Sequence, residues 1–155
     1  MEVRIVMLIN LLAWSFIVSQ SFTYIIALDN VQRCMDAASW IELRKLLDRN
    51  YRLKFRFVFY TVLVTSPLLT LLCCMDPGSI LFITSAIALV AIIADTVLML
   101  KGNMPVNNLI NTWGRDNYPE NWQRYRSRWL YIFQWRQVAN ITGFGSLLAG
   151  AVLGL

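Results

Sequence analysis

KGNMPVNNLINTWGRDNYPENWQRYRSRW, residues 101–129, lies between two long apolar runs. It carries Asn103, Asn107, Asn108, Asn111, Asn117 and Asn121, with Trp113, Trp122, Trp129 and four arginines among them. In so apolar a chain, a plain connecting loop is expected to be short and built of small residues. Amides, indoles and guanidinium groups together suit a boundary that is polar on one side and apolar on the other. The edge of a lipid bilayer is such a boundary.

The flanking sequence supplies the bilayer-crossing segments. Residues 5–28, 55–75, 79–100 and 130–155 are mostly apolar, and each is long enough to cross a ~30 Å hydrocarbon layer at 1.5 Å per residue. Of the 155 residues, 57% are hydrophobic and 15% charged, against about a quarter charged in soluble domains. The expectation is an all-α fold: one membrane domain over 1–155, built as a four-helix bundle. An amphipathic interfacial helix is expected over about 40–54, and a cytoplasmic capping helix within 101–129. Residues 1–28 read as the first span, because the apolar run is too long for a signal peptide and no small-x-small cleavage site follows it.

The net charge is +5, yet its placement argues against nucleic acid as a partner. Arg33, Arg44, Lys45, Arg49, Arg52, Lys54 and Arg56 lie between or beside spans one and two. Lys101, Arg115, Arg124, Arg126 and Arg128 lie between spans three and four, and the connection CCMDPGS holds no basic residue. Basic residues gather on the cytoplasmic side and face anionic lipid there. Both long loops are thus expected inside and both termini outside, in a bacterial inner membrane.

Individual residues sharpen this picture. Gln20 in span one wants a polar partner, as interhelical glue or as a pocket-lining group. Ser39 and Glu42 have capping-box spacing. Pro67 removes a ladder bond from span two, and Thr65 and Ser66 are placed to re-satisfy the freed carbonyl. Asp95 is a carboxyl group deep in span three, to be paired with an arginine or kept neutral. At about 100° per residue, Trp122, Arg126, Trp129, Phe133, Arg136 and Asn140 share one stripe of the last helix, which should face its neighbours. Gly143, Gly145, Ala149, Gly150 and Gly154 permit close helix contact within the bundle or in a dimer. Cys73 and Cys74 read as small packing residues, and Cys34 as a candidate for acylation. With three cysteines and no histidine, neither a metal site nor haem or iron–sulfur ligation is expected. In the opening stretch, Asn107 and Asn111 share one side of a short helix beside Val106, Ile110 and Trp113. That helix could cap the cytoplasmic mouth without any chemistry.

The run N-x-P-V-N-N-x-I-x-x-W at Asn103–Trp113, and P-x-x-W-x-x-x-R-x-R-W at Pro119–Trp129 with Arg136 seven residues on, resemble the small four-helix membrane proteins grouped with anthrone oxygenases. The resemblance implies a four-helix membrane bundle and cofactor-free oxidation of anthrones by molecular oxygen. A base would remove a proton, and the protein would stabilise the oxyanion. It implies roles for Asn103, Asn107, Asn111, Trp113, Arg126, Trp129 and Arg136, with amides and arginines on the oxyanion and indoles against a flat substrate. Where relatives carry a histidine, four residues after Trp129, this chain has Phe133, which leaves Asp95 as the deepest carboxylate to serve as base. The expected site is therefore Asp95 and Arg136 as catalytic residues, with Gln20, Asn103, Asn107, Asn111, Trp113, Arg126, Trp129, Phe133 and Asn140 around a hydrophobic small molecule. The competing expectation is a non-catalytic subunit, in a homo-oligomer or a larger membrane complex. A transporter is disfavoured, for no internal repeat is evident.

Overall fold

The structure, a computed structural model, describes residues 2–154. Four long helices account for most of them: α1 (Glu2–Cys34), α2 (Ala37–Cys73), α3 (Ile80–Ile110) and α4 (Trp122–Leu153). The first three each widen for one stretch into a π-helical turn, at Tyr24–Leu28, Tyr51–Phe55 and Met99–Asn103. Among the described residues there is no strand.

The interfacial helix and span two, expected as separate elements, are one helix. Residues 49–56 contain no glycine or proline, and their arginines, lysine and leucine are good helix formers, so the chain passes through the π turn without stopping. The short helix expected at Asn103 likewise continues α3, with Pro105 directly after the π turn. At the start of α2 the cap is Asp36 and not Ser39. Asp36 accepts the Ser39 backbone N–H at 3.0 Å and the Ser39 hydroxyl at 2.8 Å, which satisfies one of the orphan amides of the first turn. Ser79 caps α3 by accepting the Phe82 N–H at 3.2 Å. The turn before it closes through Ser79 N–H to the Asp76 carbonyl at 3.1 Å. Helix α4 begins at Trp122 rather than Pro119 and has 32 residues, about 48 Å of helix.

The helices pack in cyclic order, α1 on α2, α2 on α3, α3 on α4 and α4 back on α1, with the α3–α4 contact the most extensive. Three of them, α1, α2 and α3, are long and apolar enough to cross a membrane. Helix α4 is as long but has Arg136, Gln137 and Asn140 near its middle. Those groups are turned inward: Gln137 and Asn140 are buried, and Arg136 is largely so. The stripe read from the sequence does face the other helices. Trp129, Phe133 and Asn140 are buried and Trp122, Arg126 and Arg136 half-buried, and the face continues through Gly143, Leu147 and Gly150.

Two apolar clusters fill the interior. One, around Met7, Trp14, Ile17, Val62, Leu69, Ala88, Ile92 and Leu147, occupies the half that holds the chain ends and the Asp76 turn. The other, around Tyr24, Trp40, Ile41, Val106, Ile110, Trp129 and Phe133, occupies the basic half. In the first, Asn10 and Ser66 bond across α1 and α2 at 3.3 Å, and Thr65 donates to the Thr61 carbonyl at 2.7 Å. Neither Ser66 nor Thr65 therefore serves the carbonyl that Pro67 leaves free. Cys73 is buried; Cys34 and Cys74 are exposed, and all three are free thiols.

Gly143 and Gly150 are consumed inside the bundle. A Cβ on Gly143 would stand 2.5 Å from the ring of Trp14, and one on Gly150 would collide with the Thr84 hydroxyl. At Gly145 nothing lies within 4 Å. Trp14 is fully buried and has no room to yield, so Gly143→Ala should destabilise the fold by about 1–3 kcal/mol, the usual cost of overpacking. Gly145→Ala should be neutral or slightly stabilising; thermal unfolding in mild detergent compares the two. The bonds from Ser39 hold the Asp36 carboxyl below the ordinary carboxylate range. A depressed value means that the cap is complete at neutral pH and is lost as pH falls from about 4 through the lowered value. The Ser39 amide resonance should shift over that interval, and Asp36→Asn should flatten the response.

Candidate functional site

The two basic segments meet at one end of the bundle. Lys45 on α2 donates to the backbone carbonyl of Trp113. Arg126 on α4 donates to the carbonyls of Met35 at 2.8 Å and Gln32 at 3.3 Å, after the last turn of α1, and lies over the Trp122 ring. These bonds supply donors to carbonyls that helix ends leave orphaned.

Beneath them runs a seam of side-chain hydrogen bonds with Asn107 at its centre. Asn107 donates to Asp48 at 2.9 Å and accepts from the Trp129 indole at 2.9 Å and from Arg44 at 3.5 Å. Asp48 also accepts from Asn111 and from Arg52, both at 2.9 Å, and Arg52 reaches Asn108 at 2.6 Å. An amide offers donor and acceptor on one short stem, which is why asparagines crowd this stretch: they join a carboxylate on α2 to an indole on α4. The Trp129 ring is fully engaged. Phe133 stacks on it with centroids 4.9 Å apart, Tyr24 lies 5.9 Å away, and the Arg44 guanidinium carbon is 3.7 Å from the ring centroid.

Deeper in the bundle, Asp95 is fully buried and forms a two-pronged ion pair with Arg136, at 2.7 Å through Nε and 3.2 Å through Nη2. Asn140 donates to the same carboxylate at 3.3 Å. Arg136 continues to Asn103 at 3.4 Å, and Asn103 donates to the Trp129 carbonyl at 3.0 Å. The guanidinium fork matches a carboxylate in this geometry. Two N–H donors hold Oδ1 and one holds Oδ2; a carboxylate oxygen has two acceptor sites, so Oδ2 keeps one.

Of the residues singled out in the sequence, Asp95, Arg136, Asn103, Asn107, Asn111, Trp129 and Asn140 thus belong to one connected seam. Phe133 packs against Tyr24 and Trp129. Trp113 is buried edge-on to Tyr125, and Arg126 serves carbonyls at the edge. Gln20 is apart from all of these. It lines a recess of about 210 Å³ on the side of the bundle, together with Phe16, Ser19, Thr23, Tyr24, Leu28, Tyr51 and Phe55. The recess lies where the π turns of α1 and α2 face each other. Such turns are rare and recur at functional sites. Ser19 and Thr23 donate to the carbonyls of Phe16 and Ser19.

Sequence reasoning missed Tyr24, Gln32, Arg44 and Asp48. Arg44 was expected among solvated headgroups, yet it is buried with Asp48 beside Tyr24. A signal was present. Ala37, Ile41, Arg44, Asp48 and Tyr51 recur at spacings of four and three, which is an inward seam that two charges interrupt. Among the described residues, no group of three or more acidic, cysteine or histidine side chains could hold a metal. Comparison with protein-family models, curated proteins and solved structures finds no match to this chain.

Removing one partner of the buried pair strands the other. Asp95→Ala should cost about 3–5 kcal/mol, whereas Asp95→Leu combined with Arg136→Met should recover most of it. Denaturant unfolding of the three proteins in detergent distinguishes this pairing role from a purely steric one.

Proposed function

We propose that the protein is an integral membrane four-helix bundle that binds a hydrophobic small molecule with one polar end, flat or lipid-like, in the recess between α1 and α2. The recess itself carries the reading. Phe16, Leu28 and Phe55 offer apolar and aromatic surface, Gln20 and Tyr51 offer polar groups, and two π turns shape the opening. Pockets that hold small molecules combine a mostly apolar lining with a few convergent polar groups. The exposed apolar side chains of α1, α2 and α3 suit acyl chains, and the charge asymmetry supports an orientation with the recess toward the cytoplasmic leaflet.

The resemblance of 103–113 and 119–129 to the anthrone oxygenases points to the same ligand class, hydrophobic and aromatic. Its chemistry needs a base, and the recess lining includes no carboxylate, while Asp95 lies outside that lining, fully buried and paired with Arg136. Binding is therefore the reading the geometry favours over turnover. For the competing subunit reading, Gly143 and Gly150 close on Trp14 and Thr84 inside the bundle, which leaves Gly145 open to a partner helix.

Ser19 is exposed at the recess, so Ser19→Trp should fill it from outside the seam. Native mass spectrometry of the protein released from membranes should show a co-purifying hydrophobic molecule. Ser19→Trp should reduce its occupancy at least tenfold, about 1.4 kcal/mol of binding, with an unchanged unfolding midpoint. Equal occupancy in both proteins would exclude the recess. Oxygen uptake with an anthrone, lost in the same variant, would extend the assignment from binding to catalysis.

A further inference from the structure

Arg44 is 4% exposed and has no carboxylate of its own. The ion pairs Arg33–Asp29, Arg52–Asp48 and Arg136–Asp95 leave it out. Asp48, one turn along the same helix, gives its oxygens to Asn107, Asn111 and Arg52. Arg44 is left with the Tyr24 hydroxyl at 2.9 Å, the Asn107 oxygen at 3.5 Å and the face of Trp129, and its buried Nε has no acceptor at all. The Asp48 carboxylate attracts Arg44 through space, yet no described carboxylate oxygen bonds it directly. Burial of a cation in this state is costly, and an unmet N–H adds to that cost.

The neighbours of Arg44 lead to the recess. Tyr24, part of the recess lining, accepts two N–H bonds at its hydroxyl, from Arg44 and, at 2.6 Å, from Gln32. A phenol that accepts twice still has its own proton to donate. Tyr51 and Gln20 are also in the lining. Two phenols of the lining, one of them bonded to a guanidinium that has no direct ion pair, suit an anionic oxygen. The recess, at about 210 Å³, is smaller than the ~300 Å³ lower bound of pockets that enclose a drug-sized ligand. It has room for a head group whose tail leaves past Phe16, which is 59% exposed.

Resting on the recess reading above, we propose that the ligand is a single-chain amphiphile with a carboxylate head, received by Tyr24 and Tyr51 and neutralised by Arg44. The experiment uses the full chain in nanodiscs of zwitterionic lipid, with dodecanoate and its methyl ester as probes and the Ser19→Trp variant as the blank. Dodecanoate should bind at least tenfold more tightly than the ester. Tyr24→Phe, which keeps the ring, and Arg44→Gln should both reduce that preference to within twofold; the phenylalanine variant carries the test if the glutamine variant fails to fold. Equal binding of acid and ester above the blank would overturn the carboxylate assignment and leave the recess standing. Binding of neither above the blank would overturn both. Displacement of dodecanoate by an anionic phospholipid at equal mole fraction would also overturn the assignment, giving the site to a phosphate head group.

Discussion

One amide ties the basic half of this bundle together. Asn107 on α3 donates to Asp48 on α2 and accepts from Trp129 on α4, so three helices meet at four atoms of one side chain. Asp95 and Arg136 make the corresponding tie one level deeper, between α3 and α4. Where lipid surrounds a bundle, apolar surface gains little by leaving the acyl chains for a neighbouring helix. Packing and interhelical hydrogen bonds then decide which faces meet. The inward polar stripe of α4 becomes intelligible on those terms. Its Arg136 and Asn140 are partnered, and the outward face can stay apolar.

The same ties explain why the polar seam and the lateral recess are different places. Groups that lock helices must be satisfied by one another, and a half-satisfied network would destabilise the fold. The asparagines, Trp129 and Asp95 are spent in that way. What remains open lies at the margin, where the π turns of α1 and α2 splay the backbone and bring Gln20, Tyr24 and Tyr51 to a lateral opening. Arg44 stands between the two regions. It reaches Asn107 and Trp129 on one side and Tyr24 on the other, so the charge of the seam is felt in the recess.

Several features were legible residue by residue. The inward stripe from Trp122 to Asn140 followed from helical periodicity, and the pairing of Asp95 from the cost of a lone carboxylate among apolar side chains. The clustering of Asn103, Asn107 and Asn111 likewise signalled polar groups facing one another. The helix breaks expected before Arg56 and at Asn103 do not occur: in both places the chain passes through a π turn and stays helical, the second time even with Gly102 inside the turn and Pro105 soon after it. The start of α2 was assigned to Ser39 when Asp36, three residues earlier, supplies the better acceptor. Arg44 was read as facing headgroups because charge usually implies exposure, and Asp48 was not singled out; their spacing with Ala37 and Ile41 is the sign that both face inward.

What this sequence determined by itself is the set of long helices, the length and apolar character of three of them, and the side of the fourth that must be hidden. Those properties depend on local periodicity and on the energetics of single residues. Which amide meets which carboxylate, which glycine receives Trp14, and that Arg44 is buried without a direct ion pair beside a recess were decided only by the tertiary structure. Those facts depend on residues tens of positions apart, such as Asp48 with Asn107 and Trp14 with Gly143. Helical periodicity specifies a face but not the partner packed against it.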